Sequence, residues 1–383
     1  KPRASRDSPG SAAADSQREA VEACLRERIH FVWGPPGTGK TTTLGLLVAE
    51  LVSEGCSVLV TAHANVAVDA AVLATLKHLE GRGRGGGCAG GQPPPIVRAG
   101  PAALKEVRDR EVSSRDWVLR AHPELAKRLR ELEAQLAELP TPRTRNTKRF
   151  REAVDELKRI RTELRERERV VVNHARILFA TLPKVAIESA IYERGIEPDL
   201  GPFDAVIVDE ASMAYAAQIV FAASLAEKRL AVFGDFRQLP PIVISKSPAT
   251  REVLERDVFA LAGIVDAVDR GSTPAELSML RVQYRMHPEI RQLVSGFAYL
   301  DRLRDGPGVV ERTAQIAALP PGEGRSVVVV ETDGMGARGW YAGADRSRWN
   351  PLSGFWAFRF AHDLACRRLT VALLAPYRPQ AAL

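Results

Sequence analysis

GPPGTGKT, residues 34–41, follows the apolar stretch HFVWG (30–34) and precedes TTTLGLLVAELVSEG (41–55), a run of helical character. The octet fits G-x-x-x-x-G-K-[ST], and the flanking strand and helix are the context in which that pattern means a phosphate-binding loop. Its glycines let backbone N–H groups close around phosphate oxygens, and the helix N-terminus adds the positive end of its dipole. Gly34, Pro35, Pro36, Gly37, Thr38, Gly39, Lys40, Thr41 and Thr42 are therefore the expected nucleotide-binding residues. Lys40 is placed to reach the β- and γ-phosphates, and the Thr41 hydroxyl is a candidate Mg²⁺ ligand.

Working outward, short apolar runs alternate with helical stretches, the mark of an α/β fold with a parallel sheet. Candidate core strands are HFVWG (30–34), SVLVTA (57–62), RILFAT (176–181), AVIVDE (205–210), LAVFGD (230–235), SVVVVE (326–331) and TVALLAP (370–376). Several are nearly unbroken β-branched runs, as strands covered on both faces require. VIVDEAS (206–212) ends a strand in Asp209, a carboxylate suited to the metal, with Glu210 beside it to orient or deprotonate the attacking water. VFGDFRQLPPIV (232–243) supplies Gln238, a neutral donor and acceptor suited to sensing the γ-phosphate.

Two stretches break the rhythm. GRGRGGGCAGGQPPP (81–95) reads as a flexible surface loop. From about His122 to Glu168, Leu125, Leu129, Leu132, Leu136 and Leu139 step by 4, 3, 4 and 3, and a second stripe runs through Phe150, Val154, Leu157 and Leu164, with Ile160 flanking it. PTPRTRN (140–146) separates them, so the spacing predicts an antiparallel helical hairpin inserted in the α/β domain.

Composition narrows the setting. The chain has 383 residues, 45% of them hydrophobic, a net charge of +7 and a pI near 9.4, which favours a polyanionic partner. No apolar run approaches the ~20 residues of a membrane span, and the N-terminal residues lack a signal-peptide core. Cys24, Cys56, Cys88 and Cys366 lie far apart, which argues against a zinc site or disulfide framework and for a reducing cytoplasm.

VQYRMHP (282–288) makes sense only beside a nucleotide. In order, GPPGTGKT, VLVTAHANVAVD, ILFAT, VIVDEAS, GDFRQLPP, VQYRMHP and LLAPYRPQ resemble the superfamily 1 helicases. The likeness is to the branch holding the RNA/DNA helicases of nonsense-mediated decay and the helicase part of the Dna-two nuclease-helicases. It implies two RecA-like lobes: residues 1–272, with the hairpin as a helical stalk over about 120–172, and residues 273–383, a second lobe left incomplete. It implies ATP with Mg²⁺ as cofactors, Gln17 on the adenine edge, Tyr284 stacked on its ring and Arg285 as an arginine finger on the γ-phosphate. It also implies single-stranded DNA or RNA as partner, touched by His63, Asn65 and Thr181 and by Pro376 and Tyr377. Movement 5′→3′, a monomer and a nuclease or repair partner complete the expectation. Two late motifs of the family are absent before Leu383, so weak activity of the isolated chain is expected. The alternatives are an ATPase switch that clamps nucleic acid and recruits a partner, and a plain nucleotide-binding regulator.

Overall fold

The computed structural model describes residues 11–82, 96–137, 148–196, 201–319, 322–331, 335, 339–342 and 347–381. The 81–95 tract, apart from its first two residues, and the PTPRTRN break lie outside them. The chain divides into two compact units, one formed by residues 1–285 with 295–307, the other by 286–294 with 308–383.

The first unit is built on a seven-stranded parallel sheet. Its strands are β1 (Ile29–Trp33), β2 (Val58–Ala62), β3 (Ile96–Arg98), β4 (Ile177–Thr181), β5 (Phe203–Asp209), β6 (Ala226–Gly234) and β7 (Leu277–Met279), in the order β3-β4-β2-β5-β6-β1-β7. Central strands buried along almost their whole length explain the near-continuous Val/Ile/Leu runs. Helices α1 (Ser11–Arg26), α2 (Lys40–Ser53) and α3 (Asn65–Arg82) add their apolar sides to that core, where Leu44, Leu47 and Val68 pack with Val32, Val60, Ile207 and Phe233.

Because every strand runs the same way, their C-terminal ends share one edge. The register sets Ala62 beside both Thr181 and Asp209, and β6 lies between β5 and the phosphate-loop strand β1. Ligands of open α/β sheets bind along that edge.

After β3 come a single turn, α4 (Lys105–Arg108), and three longer helices: α5 (Ser114–Ala121), α6 (Pro123–Ala137) and α7 (Lys148–Asn173). The last two form the expected hairpin, and α5 packs with them through Val118. Leu129, Leu132, Leu157, Ile160 and Leu164 make a core separate from that of the sheet, so Ile160 belongs to the buried stripe rather than its flank. Arg128 of α6 reaches Glu156 of α7 at 2.6 Å across the exposed face, an ion pair of small energetic weight.

Two outcomes differ from the sequence reading. The first unit runs past 272, because β7 adds to the free side of β1 and a short parallel pair, β8 (Val282–Gln283) with β9 (Arg304–Asp305), follows it. Second, 326–331 and 370–376 form no strands: Val329 and Leu374 are exposed, and neither segment has a strand partner among the described residues. A β-branched run becomes a strand only when a neighbour takes its N–H and C=O groups.

The second unit holds the helices Val309–Ala317 and Pro351–Cys366 and an antiparallel ribbon of β10 (Trp340–Ala342) and β11 (Ser347–Trp349), where Trp340 faces Trp349. Glu289 accepts from the backbone N–H and hydroxyl of Ser326, and Gln380 caps both main-chain groups of Asn350. Among the described residues no helix is long and apolar enough to cross a membrane.

Candidate active site

The loop between β1 and α2 turns on two left-handed residues, Gly37 at φ +77° and Gly39 at φ +80°. A side chain at either position would be strained by the backbone alone and would also collide. A Cβ on Gly37 would lie 2.6 Å from the Cβ of Arg285, and one on Gly39 would lie 2.4 Å from Nε2 of Gln17. Gly34 is fixed to the neighbouring strand by its N–H to the Gly234 carbonyl, 2.9 Å, and the aliphatic stem of Lys40 folds against it. Pro35 and Thr38 are buried, the Thr38 hydroxyl closing the loop onto the Pro35 carbonyl at 2.7 Å. Pro36 and Thr41 are half-buried and Thr42 is exposed on the first turn of α2.

Two distant segments converge on this loop. Gln17 of α1 donates from Nε2 to the Thr38 carbonyl at 3.0 Å. The Tyr284 N–H donates to the Gly37 carbonyl at 2.8 Å, and Arg285 packs its Cβ on Gly37. The Tyr284 ring lies against Gly306, which has no Cβ to displace it. Gln283 is fully buried and bonded at both ends of its amide, Nε2 to Asp305 at 2.7 Å and Oε1 from the Arg285 N–H at 2.8 Å. The QYR segment is thus tied to the phosphate loop through its backbone.

The acidic pair sits at the end of β5. Lys40 Nζ lies 2.6 Å from Glu210 and 3.9 Å from Asp209. Glu210 adopts φ +51°, a left-handed conformation that costs a non-glycine residue about 1 kcal/mol and is found at sites under functional constraint. Burial pushes the Asp209 carboxyl up from its ordinary 3.8 to about 6, with Glu210 adding to the rise and Lys40 opposing it.

A carboxyl whose folded pKa is raised stabilises the fold fully below its unfolded pKa, and that contribution is lost as pH rises through about 6. Asp209→Asn keeps the oxygen that accepts from the Glu210 N–H and never ionises. In the nucleotide- and metal-free protein this variant should match the parent near pH 4 and be more stable by about 3 kcal/mol at pH 8. Denaturant unfolding at the two pH values measures it, and equal midpoints at both would refute the shift.

Gln238 lies in the turn after β6, its Nε2 held by the buried Asp235 at 2.7 Å. His63 stands exposed between β2 and α3, Asn65 is the exposed first residue of α3, and Thr181 caps the next helix, Leu182–Ile187, by accepting from the Lys184 N–H. All three lie at the C-terminal edge of the sheet together with Asp209. Pro376 and Tyr377 belong to the second unit, where both are exposed.

Sequence reasoning missed Gln283, Asp235, Tyr299, Asp69 and Arg98. The last two form a buried ion pair of 3.0 Å, with Arg98 also bonded to Asn65 at 2.7 Å. The available signal was a charged residue inside the apolar strand IVR and the i, i+4 pair Asn65 and Asp69 on α3, two residues that a helix puts on one face.

Comparison with known proteins places this geometry. The AAA domain profile matches residues 12–246, and a second AAA domain profile matches 265–383. The chain belongs to the AAA domain family. Within it the chain falls in the superfamily 1 helicase branch that its motif order indicates. It is similar to DNA-binding protein SMUBP-2 of Rattus norvegicus, 29% identical over 95% of this chain and 35% of that protein. Helicase SEN1 of Saccharomyces cerevisiae is 27% identical over 77% of this chain and 15% of its own length. ATP-dependent helicase upf1 of Schizosaccharomyces pombe is 28% identical over 80% and 29%. The chain therefore spans about a third or less of these AAA domain relatives.

Proposed function

We propose that this AAA domain chain is the motor part of an ATP-dependent helicase that translocates on single-stranded nucleic acid, with DNA as substrate and 5′→3′ movement. The observation that carries the reading is the convergence of Gln17 and the Tyr284–Arg285 segment on the phosphate loop, beside Asp209 and Glu210. A nucleotide switch needs only the loop. An arginine delivered to that loop from VQYRMHP suits phosphoryl transfer, where charge spreads over equatorial oxygens.

In this reading Lys40 and the loop N–H groups hold the phosphates, Gln17 reads the adenine edge and Tyr284 stacks on the ring. Glu210 orients the attacking water, Gln238 senses the γ-phosphate and Arg285 neutralises the charge that develops there. Thr41 and Asp209 offer the hard oxygens that suit Mg²⁺, which takes few protein ligands and completes its shell with phosphates.

His63, Asn65 and Thr181 would grip the strand from the same sheet edge, and Pro376 with Tyr377 from the second unit. Such grips are mainly to phosphates, so binding should weaken steeply with salt and depend little on sequence. The protein is assigned to the cytoplasm as a monomer that works beside a nuclease or repair partner.

ATP turnover measured with and without poly-dT and poly-U tests the reading. Stimulation of ~10-fold or more by poly-dT, lost as salt rises from about 50 to 300 mM, is the expected result. A preference for poly-U would reassign the substrate to RNA. Turnover indifferent to both polymers would leave only a nucleotide-binding protein.

A further inference from the structure

The turn after β6 contains a buried carboxylate that the proposed chemistry does not use directly. Asp235 is 1% exposed and accepts four hydrogen bonds, all from neutral donors. Oδ1 takes the indole N–H of Trp33 at 2.9 Å and the Arg237 backbone N–H at 3.1 Å. Oδ2 takes Nε2 of Gln238 at 2.7 Å and the hydroxyl of Tyr299 at 2.8 Å. A carboxylate oxygen has two lone pairs, so the phenol fills one and leaves Gln238 the other.

The location matters as much as the count. Trp33 is the residue before Gly34, and Gly234, before Asp235, accepts the Gly34 N–H. Gln238 therefore hangs from a node fastened to the base of the phosphate loop. With its amide nitrogen held by Asp235 and also facing the Tyr299 hydroxyl, its Oε1 remains for phosphate or water. Without the phenol, the second lone pair of Oδ2 would be open to Gln238 or to water, and the amide would lose its single seat.

We propose that Tyr299 is a positioning residue for ATP turnover, acting through Asp235 to hold the Gln238 amide beside the phosphate loop. This rests on the ATPase reading above. The Tyr299 ring packs on Trp33 at 5.9 Å between centroids, and Trp33 packs on Phe236 at 4.4 Å, so a phenylalanine at 299 keeps the aromatic stack and removes one oxygen.

The test is a double-mutant cycle in the full chain: Tyr299→Phe, Gln238→Ala and both together, with kcat and KM for ATP read at saturating poly-dT. Tyr299→Phe should lower kcat about tenfold, the scale of a slightly misplaced catalytic group, with KM changed less than about twofold. Gln238→Ala should lower kcat at least as much, and the double variant should match Gln238→Ala alone. Multiplying losses, or a Tyr299→Phe effect confined to melting temperature, would overturn the proposal. Should Tyr299→Phe fail to fold, Asp235→Asn takes its place in the cycle with the same expectations, since its amide nitrogen cannot accept from Gln238. A parent chain without ATP turnover would instead sink the ATPase reading, and this role with it.

Discussion

Arg285→Ala is expected to cut ATP turnover ~10³-fold while nucleotide affinity stays within about threefold. Alanine retains what anchors this residue in the structure. The Cβ that packs on Gly37 remains, as do the Arg285 N–H to Gln283 and the Tyr284 N–H to the Gly37 carbonyl. What is lost is the guanidinium and its stem, so the comparison isolates the charge delivered to the transferring phosphoryl group. Arg285→Lys should recover little, because a lysine is a point charge without the planar fork.

Lys40→Ala provides the contrast. It removes the cation proposed to bind the phosphates in the ground state and leaves Glu210 and the buried Asp209 without their shared partner, so affinity and turnover should fall together. Steady-state kinetics with fluorescent-nucleotide binding separates the two patterns. Unchanged turnover in Arg285→Ala would remove Arg285 from the chemistry.

What the sequence displayed and what it hid follow from the range of the forces involved. The phosphate loop, β1, β2, β4, β5, β6 and the leucine stripes of α6 and α7 are local patterns, each written in a contiguous run. β3 and β7 are three residues each, and β3 ends in Arg98, a charge that is buried there because α3 supplies Asp69. No window along the chain shows that partner. The runs at 326–331 and 370–376 failed for the opposite reason, since propensity promised strands that no neighbouring strand completes among the described residues.

The same division holds at the site. Lys40, Asp209, Glu210 and Arg285 stand in short motifs, whereas the groups that orient them do not. Asp235 stands within GDFRQLPP, yet its bond to Tyr299 joins positions 64 residues apart, and Gln283 finds Asp305 across 22. Residues that touch a ligand recur in recognisable order, while the residues that hold them are chosen by the fold.

Asp69→Ala should cost ~3–5 kcal/mol of folding stability, the scale for breaking a buried ion pair from one side. Asp69 is fully buried and its two oxygens serve three donors: Nε of Arg98 at 3.0 Å and the backbone N–H groups of Ala103 and Leu104 at 2.6 and 2.8 Å. Alanine strands all three, and Arg98, itself 1% exposed, keeps its charge with only the Asn65 and Ala99 oxygens as acceptors. Domains are stable by only ~5–15 kcal/mol, so the loss should show as a large fall in the urea midpoint. A cost below about 1 kcal/mol would mean that water reaches the pair.

Asp69→Asn should cost less, because it keeps two acceptor lone pairs in nearly the same place. It also separates packing from function. Arg98 is the shared partner of Asp69 and Asn65, so an arginine released from the first loosens the second at the edge assigned to the nucleic-acid strand. The asparagine variant should therefore fold, bind nucleotide normally and hold poly-dT several-fold more weakly; normal poly-dT affinity would count against Asn65 as a contact to the strand.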